Sequence, residues 1–558
     1  MKDGTKKILK AIAVVLLLLA AIDLYRPRDA LFSMLLAGWA IWLAWGMLRP
    51  TPRRVSPFGA SAWATPAEIK RFNRARGGDV GLGTIITPAG DDDWIMRDDY
   101  QKHGPLHWQT DKHVMLIGAT RGGKGATILV PQLLSYQGSV FVIDPKGENA
   151  TITAPWRAML NGGQAKIAIL DPFGEVRGKA AKYRVRYNPL RRLMASPRMT
   201  AEASVLAEAL VSGEKNHWYD SARQIMASII LHVVTAEGKE RRDLVEVMRI
   251  ANRDPDLIAA ELSTNRALGG IIRETAARLA AIEPGERSSI LSSLRSGTNA
   301  LNDPYIREVL RDDGPQLDFN QFRSGILSVY VCLKGTLMPA YSTWLRVITA
   351  AALDTMTDEL TPPPLPVQFL IDETSSLGHF EAIEVASTYS AGYGIQLWTV
   401  WHNWEQLGKC YTKAPGTFWG NAGIRYCFSA EDNETAEYIS KSLGTRTVTT
   451  HSSSASQGGS SESTGQASAP LLDMAAVQRM PQVPELHSAV SLSGCKPCYV
   501  ILKPYYKMPD LMARAVNLKD AQPVPVVLSE PLRSEPDDDE PVSGPRPRPK
   551  GFRSGKAD

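Results

Sequence analysis

Residues 113–134 read HVMLIGATRGGKGATILVPQLL, and this stretch decides the fold. Residues 113–117 predict a buried strand, residues 118–125 form a glycine-rich turn, and residues 126–134 predict a helix. A strand, a GxxxxGK turn and a helix in this order are typical of a loop whose backbone N–H groups and lysine bind phosphate. We therefore predict a nucleotide-binding loop built from Gly118, Ala119, Thr120, Arg121, Gly122, Gly123, Lys124, Gly125 and Ala126.

The loop departs from the usual pattern at one position. A Ser or Thr that binds Mg²⁺ normally follows the lysine, but Gly125 stands there. A glycine-rich turn with an incidental lysine is therefore the alternative interpretation. If the loop does bind nucleotide, Mg²⁺ has to rely on other ligands, and the hydroxyl of Thr127 is one candidate.

A second motif follows the apolar run VQFLI at residues 367–371. Asp372 and Glu373 come directly after this predicted strand, and ligands bind at the carboxyl ends of strands in open parallel sheets. We predict that Asp372 binds Mg²⁺, directly or through water, and that Glu373 activates the attacking water. An acidic pair alone is also compatible with a surface turn, but the two motifs in this order predict ATP hydrolysis.

Further polar residues follow other predicted strands. The strand at residues 395–401 ends at His402, and Gln406 lies one helical turn beyond. We predict that either residue senses the γ-phosphate or positions the water. The segment DPKGE, with Asp144, Lys146 and Glu148, either contacts phosphate, metal or a neighbouring subunit, or forms an ordinary strand-to-helix turn.

The pattern of short apolar runs separated by helical stretches predicts an α/β fold, a P-loop NTPase with a RecA-like parallel sheet. Buried strands are predicted at residues 113–117, 140–143, 167–170, 326–333, 367–371, 395–401 and 424–428. Helical spacing without strands predicts an inserted all-α domain at 189–325. The nucleotide-binding domain then has two parts, 51–188, which includes a connector, and 326–525, which includes a mobile Ser-rich loop at 451–470. A disordered tail is predicted at 526–558.

The N-terminal 50 residues predict a two-helix transmembrane hairpin. Residues 8–25 and 30–48 are almost wholly apolar, and each run is long enough to cross a bilayer as a helix. A cleaved signal peptide is the alternative, which the second apolar run disfavours. Lysines before the first run and arginines after the second place both ends in the cytoplasm, with the hairpin in the inner membrane.

Composition adds little to this interpretation. A net charge of +5 over 558 residues neither requires nor excludes nucleic acid. The five cysteines do not form a secreted disulfide framework, which favours a cytoplasmic main body. Cys495 and Cys498 form a CxxC motif that suits a redox pair or half of a zinc site, but without a second ligand pair we favour inert thiols.

Taken together, the motifs resemble the coupling proteins of bacterial type IV secretion and conjugation. The similarity runs from the N-terminal hairpin to about residue 518 and includes GATRGGKGATILVPQLL, FVIDPKGEN, YNPL, HWYDSARQI, FLIDETSSLG and LSGCKPCYVILKPYYKMPDL. Gly125 is similar to the residue found in one branch of that family. A glutamine is frequent in the family where His402 stands here, and Gln406 matches a second glutamine.

The resemblance implies a hexameric ring that binds ATP and Mg²⁺ between its subunits at the inner membrane. It also implies that the all-α domain recruits cargo, which the ring delivers to the channel components of the secretion system. The cargo is a relaxase with its DNA strand or protein effectors. The small net charge and the lack of a basic stripe in residues 189–325 favour effectors, with DNA kept as a further partner.

Three functions stay open on the sequence. The leading one is a coupling ATPase whose hydrolysis drives transfer. A membrane-anchored DNA translocase of the chromosome-segregation type shares the same core, but the inserted helical domain disfavours it. A cargo receptor that uses nucleotide as a switch without appreciable turnover is compatible with Gly125 and His402.

Overall fold

The computed structural model describes residues 59–65, 67–68, 80–88, 100–108, 110–119, 122–211, 213, 216–236, 241–412, 415–456, 459–482 and 485–529. The predicted transmembrane hairpin and residues 530–558 of the predicted tail lie outside these ranges, as do Thr120 and Arg121 of the loop. Within the described ranges, none of the helices combines the length and the apolar character needed to cross a bilayer.

Thirteen strands occur in the described residues, and eleven of them form one sheet. Their bounds, in chain order, are β1 Val80–Pro88, β2 Tyr100–Trp108, β3 His113–Ile117, β4 Val140–Asp144, β5 Lys166–Leu170, β6 Leu327–Cys332, β7 Val367–Ile371, β8 Ile395–Trp401, β9 Ala422–Cys427, β10 Thr445–Ser456, β11 Gly459–Pro470, β12 Leu486–Leu492 and β13 Cys498–Leu502. The order across the large sheet is β2-β1-β13-β12-β9-β3-β8-β7-β4-β6-β5.

The half of this sheet from β9 to β5 is parallel. Strands β3, β4, β6, β7 and β8 are buried along their whole length. A parallel strand covered by helices on both faces contacts apolar groups on both sides, which is why these strands read as continuous apolar runs. All seven strands predicted from such runs are present, with bounds shifted by at most two residues at either end, and the α/β class is confirmed.

The other half is antiparallel and was not predicted. β12 pairs with β9 and β13, β13 pairs with β1, and β1 pairs with β2. The connector predicted within the segment 51–188 therefore contains two strands, β1 and β2, that were not predicted. β2 has mostly exposed side chains, so its sequence carries neither an apolar run nor a clear alternation.

The segment between β5 and β6 contains helices and, in its described residues, no strand. It packs into the same hydrophobic core as the parallel sheet and belongs to the same compact unit. The limits of a separate all-α domain at 189 and 325 therefore stay a prediction. The helices of this segment are Leu190–Ala195, Met199–Leu210, His217–Thr235, Leu244–Ala251, Pro255–Ser263, Ile271–Ala281, Pro284–Thr298, Pro304–Leu310 and Gln321–Ser324.

The remaining α-helices accompany the strands of the sheet. They occupy Val130–Ser135, Glu148–Arg157, Leu160–Gly163, Ser342–Thr357, Glu381–Tyr389, Trp404–Cys410, Pro415–Asn421, Asn433–Leu443, Met474–Gln478 and Pro509–Met512. The predicted helix at 126–134 begins as a π-helical turn, Gly125–Leu129, and continues as Val130–Ser135.

A smaller compact unit contains Thr445–Ala469 together with described residues 59–61. In it, β10 and β11 form a two-stranded sheet joined by residues 457–458. The prediction of a loop without regular structure at 451–470 was therefore wrong. Gly is depleted in strands, and the backbone pairing between the two strands is a cross-strand property that a Ser- and Gly-rich composition does not reveal.

Candidate functional site

The loop after β3 has the backbone conformation that its glycines permit. Gly118 has φ 151° and Gly123 has φ 78°, values that side chains disfavour. A Cβ atom on Gly118 would lie 2.5 Å from Cβ of Phe428. The amide of Gly118 donates to the carbonyl of Trp401 at 3.2 Å, so the loop starts tightly packed against the ends of β8 and β9.

The position after the lysine is open. A Cβ on Gly125 would meet no heavy atom within 4 Å, so a serine fits without displacing any neighbour. Thr127 is buried, and its hydroxyl donates to the carbonyl of Gly123 at 2.9 Å. The proton of that hydroxyl is thereby directed to the loop, while its lone pairs stay available. Its role as a Mg²⁺ ligand stays a prediction.

Lys124 is buried at the start of the helical segment. Its Nζ donates to the carbonyl oxygens of Gly118, at 2.6 Å, and Ala119, at 3.1 Å. Burial lowers the pKa of Lys124 to about 8, against the opposing effect of the negative charges of Asp372 and Glu373. The structure thus brings the lysine of the loop and the acidic pair into one electrostatic site.

The sheet order explains why these residues meet. β8 lies between β3 and β7, and all three are parallel. Ile117 pairs with Trp401, and Ile371 pairs with Thr399. The residues that follow the three strands therefore emerge at the same edge of the sheet, as expected for the ligand-binding edge of an open α/β sheet.

Asp372 is partly buried at this edge. Burial and the charge of Glu373 raise the pKa of Asp372 to about 6, while Lys124, Lys146 and His402 oppose the increase. The two lysines favour the ionised carboxylate, which is the form that binds a hard cation such as Mg²⁺. Lys146, from the segment DPKGE, thus lies close enough to influence this carboxylate.

Glu373 is bonded through both of its carboxylate oxygens. Nε2 of His402 lies 2.9 Å from Oε2, and Oγ of Ser375 donates to Oε1 at 2.7 Å. Since an ionised carboxylate only accepts, His402 is the donor. Burial raises the pKa of Glu373, but the hydrogen bonds from His402 and Ser375 and the nearby positive charges outweigh burial and hold it below its usual value.

Gln406 completes this group of side chains. Its Oε1 accepts from the backbone N–H of His402 at 3.0 Å, and its Nε2 donates to Oγ of Ser375 at 2.7 Å. The structure therefore brings together Lys124, Asp372, Glu373, His402 and Gln406, as their placement at strand ends had suggested.

Asp144 stabilises the turn between β4 and the helix that follows it. It is buried, and its carboxylate accepts from the backbone N–H of Ala150 at 2.8 Å, near the start of the helix Glu148–Arg157. Burial raises the pKa of Asp144 to about 7. These contacts favour the strand-to-helix turn as the interpretation of this residue.

A family model described as Type IV secretory system Conjugative DNA transfer matches residues 71–526. The chain belongs to this family. The chain is similar to the protein VirD4 of Rhizobium rhizogenes, which is 27% identical over 72% of this chain, and to a conjugal transfer protein TraG of Escherichia coli, which is 25% identical over 62% of it. The chain spans 58% of the length of each of these two relatives.

Solved structures of a bacterial conjugative coupling protein, TrwB, have a similar fold. The complex of TrwB with ADP and Mg²⁺ superposes with a TM-score of 0.57 at 16% identity, over 81% of this chain and 96% of that one. The unbound form superposes equally well. At this level of identity the likeness shows that this family member shares the fold.

Sequence reasoning missed one residue of this site. Ser375 was quoted only as part of the segment DETSSLG, although it contacts both Glu373 and Gln406. A small hydroxyl residue two positions after the acidic pair is a weak signal, because serines in tight turns usually bond to nearby backbone groups.

The CxxC motif lies away from this group. Cys498 is buried in β13, where its thiol contacts the carbonyl of Val490, and burial raises its pKa to about 12. The described residues contain no cluster of three or more His, Cys, Asp or Glu side chains that suits a metal. Inert thiols remain our interpretation of Cys495 and Cys498.

Proposed function

We propose that this protein is the ATP-hydrolysing coupling protein of a type IV secretion system. The observation that carries the proposal is the meeting of Lys124, Asp372 and Glu373 at the carboxyl edge of the parallel strands β3 and β7, which flank β8, in a chain of the conjugative DNA transfer family. This combination supports a motor more strongly than a passive receptor, because a receptor needs no group to activate water.

In this proposal the loop from Gly118 to Ala126 binds the phosphates of ATP through its N–H groups, and Lys124 exchanges its loop carbonyls for phosphate oxygens. A bound Mg²⁺ would neutralise phosphate charge during phosphoryl transfer to water. Asp372 holds the ion, and Thr127 is the nearest hydroxyl in sequence that replaces the missing one at Gly125. Glu373 accepts a proton from the attacking water, and His402 and Gln406 complete its surroundings.

The site suits these roles chemically. Asp372 offers a carboxylate beside two lysines, and Gly118 and Gly123 have the positive φ values of a loop whose N–H groups turn inward. The binding of ADP and Mg²⁺ by TrwB, which shares the fold, adds support. We also assign Thr120 and Arg121 to the phosphate-binding loop, because they lie within the GxxxxGK pattern.

The larger setting also belongs to the proposal. Residues 1–50 anchor the protein in the inner membrane with both termini in the cytoplasm, and six copies form a ring with ATP between subunits. The helical segment at 189–325 recruits cargo, either a relaxase with its DNA or protein effectors, and the ring delivers it to the secretion channel. Membership of the conjugative transfer family supports this setting.

Substitutions at the site test the motor. Lys124→Ala and Glu373→Gln are each expected to abolish both ATP hydrolysis and cargo transfer, with nucleotide binding lost in the first and kept in the second. Glu405→Gln, an exposed carboxylate that pairs with Lys409, is the matched control and should leave both unchanged. Normal transfer by the Glu373→Gln variant would exclude the motor and leave the nucleotide-switched receptor.

The cargo is tested separately by capture on the full-length protein. Relaxase recovered with DNA would support conjugative transfer, whereas proteins that share one terminal domain would support effector secretion.

A further inference from the structure

Four residues form a closed ring of hydrogen bonds around the proposed catalytic carboxylate. Starting at Glu373, the ring passes through Ser375, Gln406 and His402 and returns to Glu373. The four contacts measure 2.7, 2.7, 3.0 and 2.9 Å. In the contact between Gln406 and His402, the donor is the backbone N–H of His402, whereas the other three contacts join side chains.

We infer that Ser375 is a positioning residue which, together with Gln406, fixes the direction of the Glu373 carboxylate for water activation. This inference rests on the proposed function, since positioning matters only if Glu373 acts on water.

Rigid elements hold both sides of the ring. On the acidic side, the hydroxyl of Thr374 accepts from the backbone N–H of Val400 in β8 at 3.0 Å and donates to the carbonyl of Ile371 in β7. The turn that carries Ser375 is thereby tied to two central strands. A side chain bonded to a fixed turn retains less rotational freedom, so its bond to Glu373 restricts the carboxylate effectively.

On the other side, Gln406 lies in the first turn of the helix Trp404–Cys410. Its backbone N–H is capped by the side chain of Asn403 at 2.8 Å, and the neighbouring Leu407 is buried. The helix start is therefore held in place, and the amide of Gln406 bridges between it and the turn after β7.

The ring changes the role predicted for Gln406. Both atoms of its amide are engaged, Oε1 with the backbone of His402 and Nε2 with Ser375. In this inference Gln406 acts on the reaction through Ser375 and His402, in place of the predicted contact with the γ-phosphate.

Ser375 is also bonded in the direction that this role requires. Its single proton is directed to Oε1 of Glu373, while its lone pair accepts from Gln406. A hydroxyl can donate once and accept twice, so the Gln406 contact orients the proton toward the carboxylate. Loss of Gln406 would free that proton to rotate, and the two residues therefore act as one unit.

The adjacent Ser376 offers a matched control. Its hydroxyl donates at 2.6 Å to the backbone carbonyl of Glu373 and not to the carboxylate. Removing it disturbs the same turn by the same number of atoms but leaves the ring intact.

The test measures steady-state ATP hydrolysis by the full-length protein. Ser375→Ala is expected to lower kcat by about 10- to 100-fold with little change in KM, because the carboxylate loses its orientation while the phosphate loop is untouched. Ser375→Thr keeps the hydroxyl and should retain most of kcat, and Ser376→Ala should resemble the wild type.

A double-mutant cycle distinguishes a shared effect of Ser375 and Gln406 on kcat from two independent effects. Gln406→Ala should lower kcat as Ser375→Ala does, and the double variant should be no worse than the more damaged single variant. Losses that multiply in the double variant would overturn the inference, as would an unchanged kcat in Ser375→Ala. A wild-type protein without hydrolysis, or a fully active Glu373→Gln variant, would instead overturn the proposed function, and the inference with it.

Discussion

Gly118 and Gly125 stand at the two ends of the phosphate loop in very different surroundings. A side chain at Gly118 meets Phe428 and also needs an unfavourable positive φ, whereas Gly125 is helical and faces open space. The first glycine is thus required by packing and conformation. Gly125 is required by neither packing nor backbone conformation, so a residue with a side chain fits at this position.

This difference gives a paired prediction. Gly118→Ala should destabilise the loop by about 1–3 kcal/mol and abolish nucleotide binding. Gly125→Ser should change stability by less than about 0.5 kcal/mol and lower the Mg²⁺ concentration needed for half-maximal ATP hydrolysis, because it restores the usual hydroxyl. Thermal unfolding and Mg²⁺ titration measure the two effects. An unchanged Mg²⁺ requirement in Gly125→Ser would show that this position does not face the ion.

Asp144 gives a prediction about pH. Its pKa is about 7 in the folded protein against 3.8 for an ordinary aspartate, mainly because of burial, with Asp372 and Glu148 adding negative charge. Between about pH 4 and pH 7 the unfolded chain loses this proton while the folded one keeps it. The contribution of Asp144 to stability therefore falls as the pH rises, by up to about 1.4 kcal/mol per pH unit.

Asp144→Asn removes that titration. The stability of this variant relative to the wild type is expected to increase by a few kcal/mol between pH 5 and pH 8, as measured by chemical denaturation at both values. Asp256→Asn, at an exposed carboxylate, is the matched control and is measured at the same two pH values. A constant difference between the Asp144→Asn variant and the wild type would mean that Asp144 is ionised throughout.

At the scale of elements, Arg157 joins the end of one helix to the end of another. Its side chain is fully buried and donates to the carbonyls of Leu133, Tyr136 and Gly138 and to the hydroxyl of Ser328. Carbonyls in the last turn of the helix Val130–Ser135 and just after it thus accept from this guanidinium, which ties the phosphate-loop helix to β6.

Arg157→Met should therefore destabilise the protein by about 3 kcal/mol or more, because several buried acceptors lose their donor at once. Arg191→Met is the control. That arginine is about half exposed and pairs with Asp312 on the surface, so its loss should cost less than about 1 kcal/mol. The midpoints of denaturant unfolding compare the two, and equal shifts would contradict the proposed anchoring.

At the scale of the whole molecule, the described end of the chain fastens the sheet to the helical segment. Arg184, which follows β5, donates to the carbonyls of Val524 and Pro525. Ser529 bonds through its N–H and its hydroxyl to Glu308 of the helical segment. Residues 521–529 thus span two parts of the larger unit that are distant in sequence.

Truncation after Ala521 should lower the melting temperature by several degrees, because it removes these bonds and leaves Glu308 and Arg184 without these partners. Truncation after Ser529 keeps every contact named here and should leave the melting temperature unchanged. Equal melting temperatures for the two truncated proteins would show that residues 522–529 contribute nothing to stability.

The strands β10 and β11 belong to the smaller compact unit. The residues of the larger unit that precede and follow Thr445–Ala469 lie close together. The N–H of Leu471 donates to the carbonyl of Gly444 at 2.8 Å. Replacing Thr445–Ala469 by two glycines is therefore expected to preserve ATP hydrolysis and to shift the melting temperature by about 2 °C or less. A variant that fails to fold would show that the larger unit depends on this sheet.

The sequence by itself determined the parallel half of the sheet, the phosphate loop and the acidic pair. Each of these is local: an apolar run, a glycine spacing or a carboxylate at the end of a strand is visible within a few residues. The helical character of residues 189–325 was equally visible, because helix periodicity is also a local property.

Only the tertiary structure decided which strand ends meet. β8 lies between β3 and β7, and this order brings His402 to Glu373 and makes Ser375 the bridge to Gln406. Among the missed strands, β12 and β13 are buried almost along their whole length, and their apolar character could have indicated them. β2 is mostly exposed, and the Ser-rich strands β10 and β11 pair through their backbones, so neither case shows a run of apolar residues. Hydrogen bonds between side chains 29 and 31 positions apart exist only once the sheet has assembled.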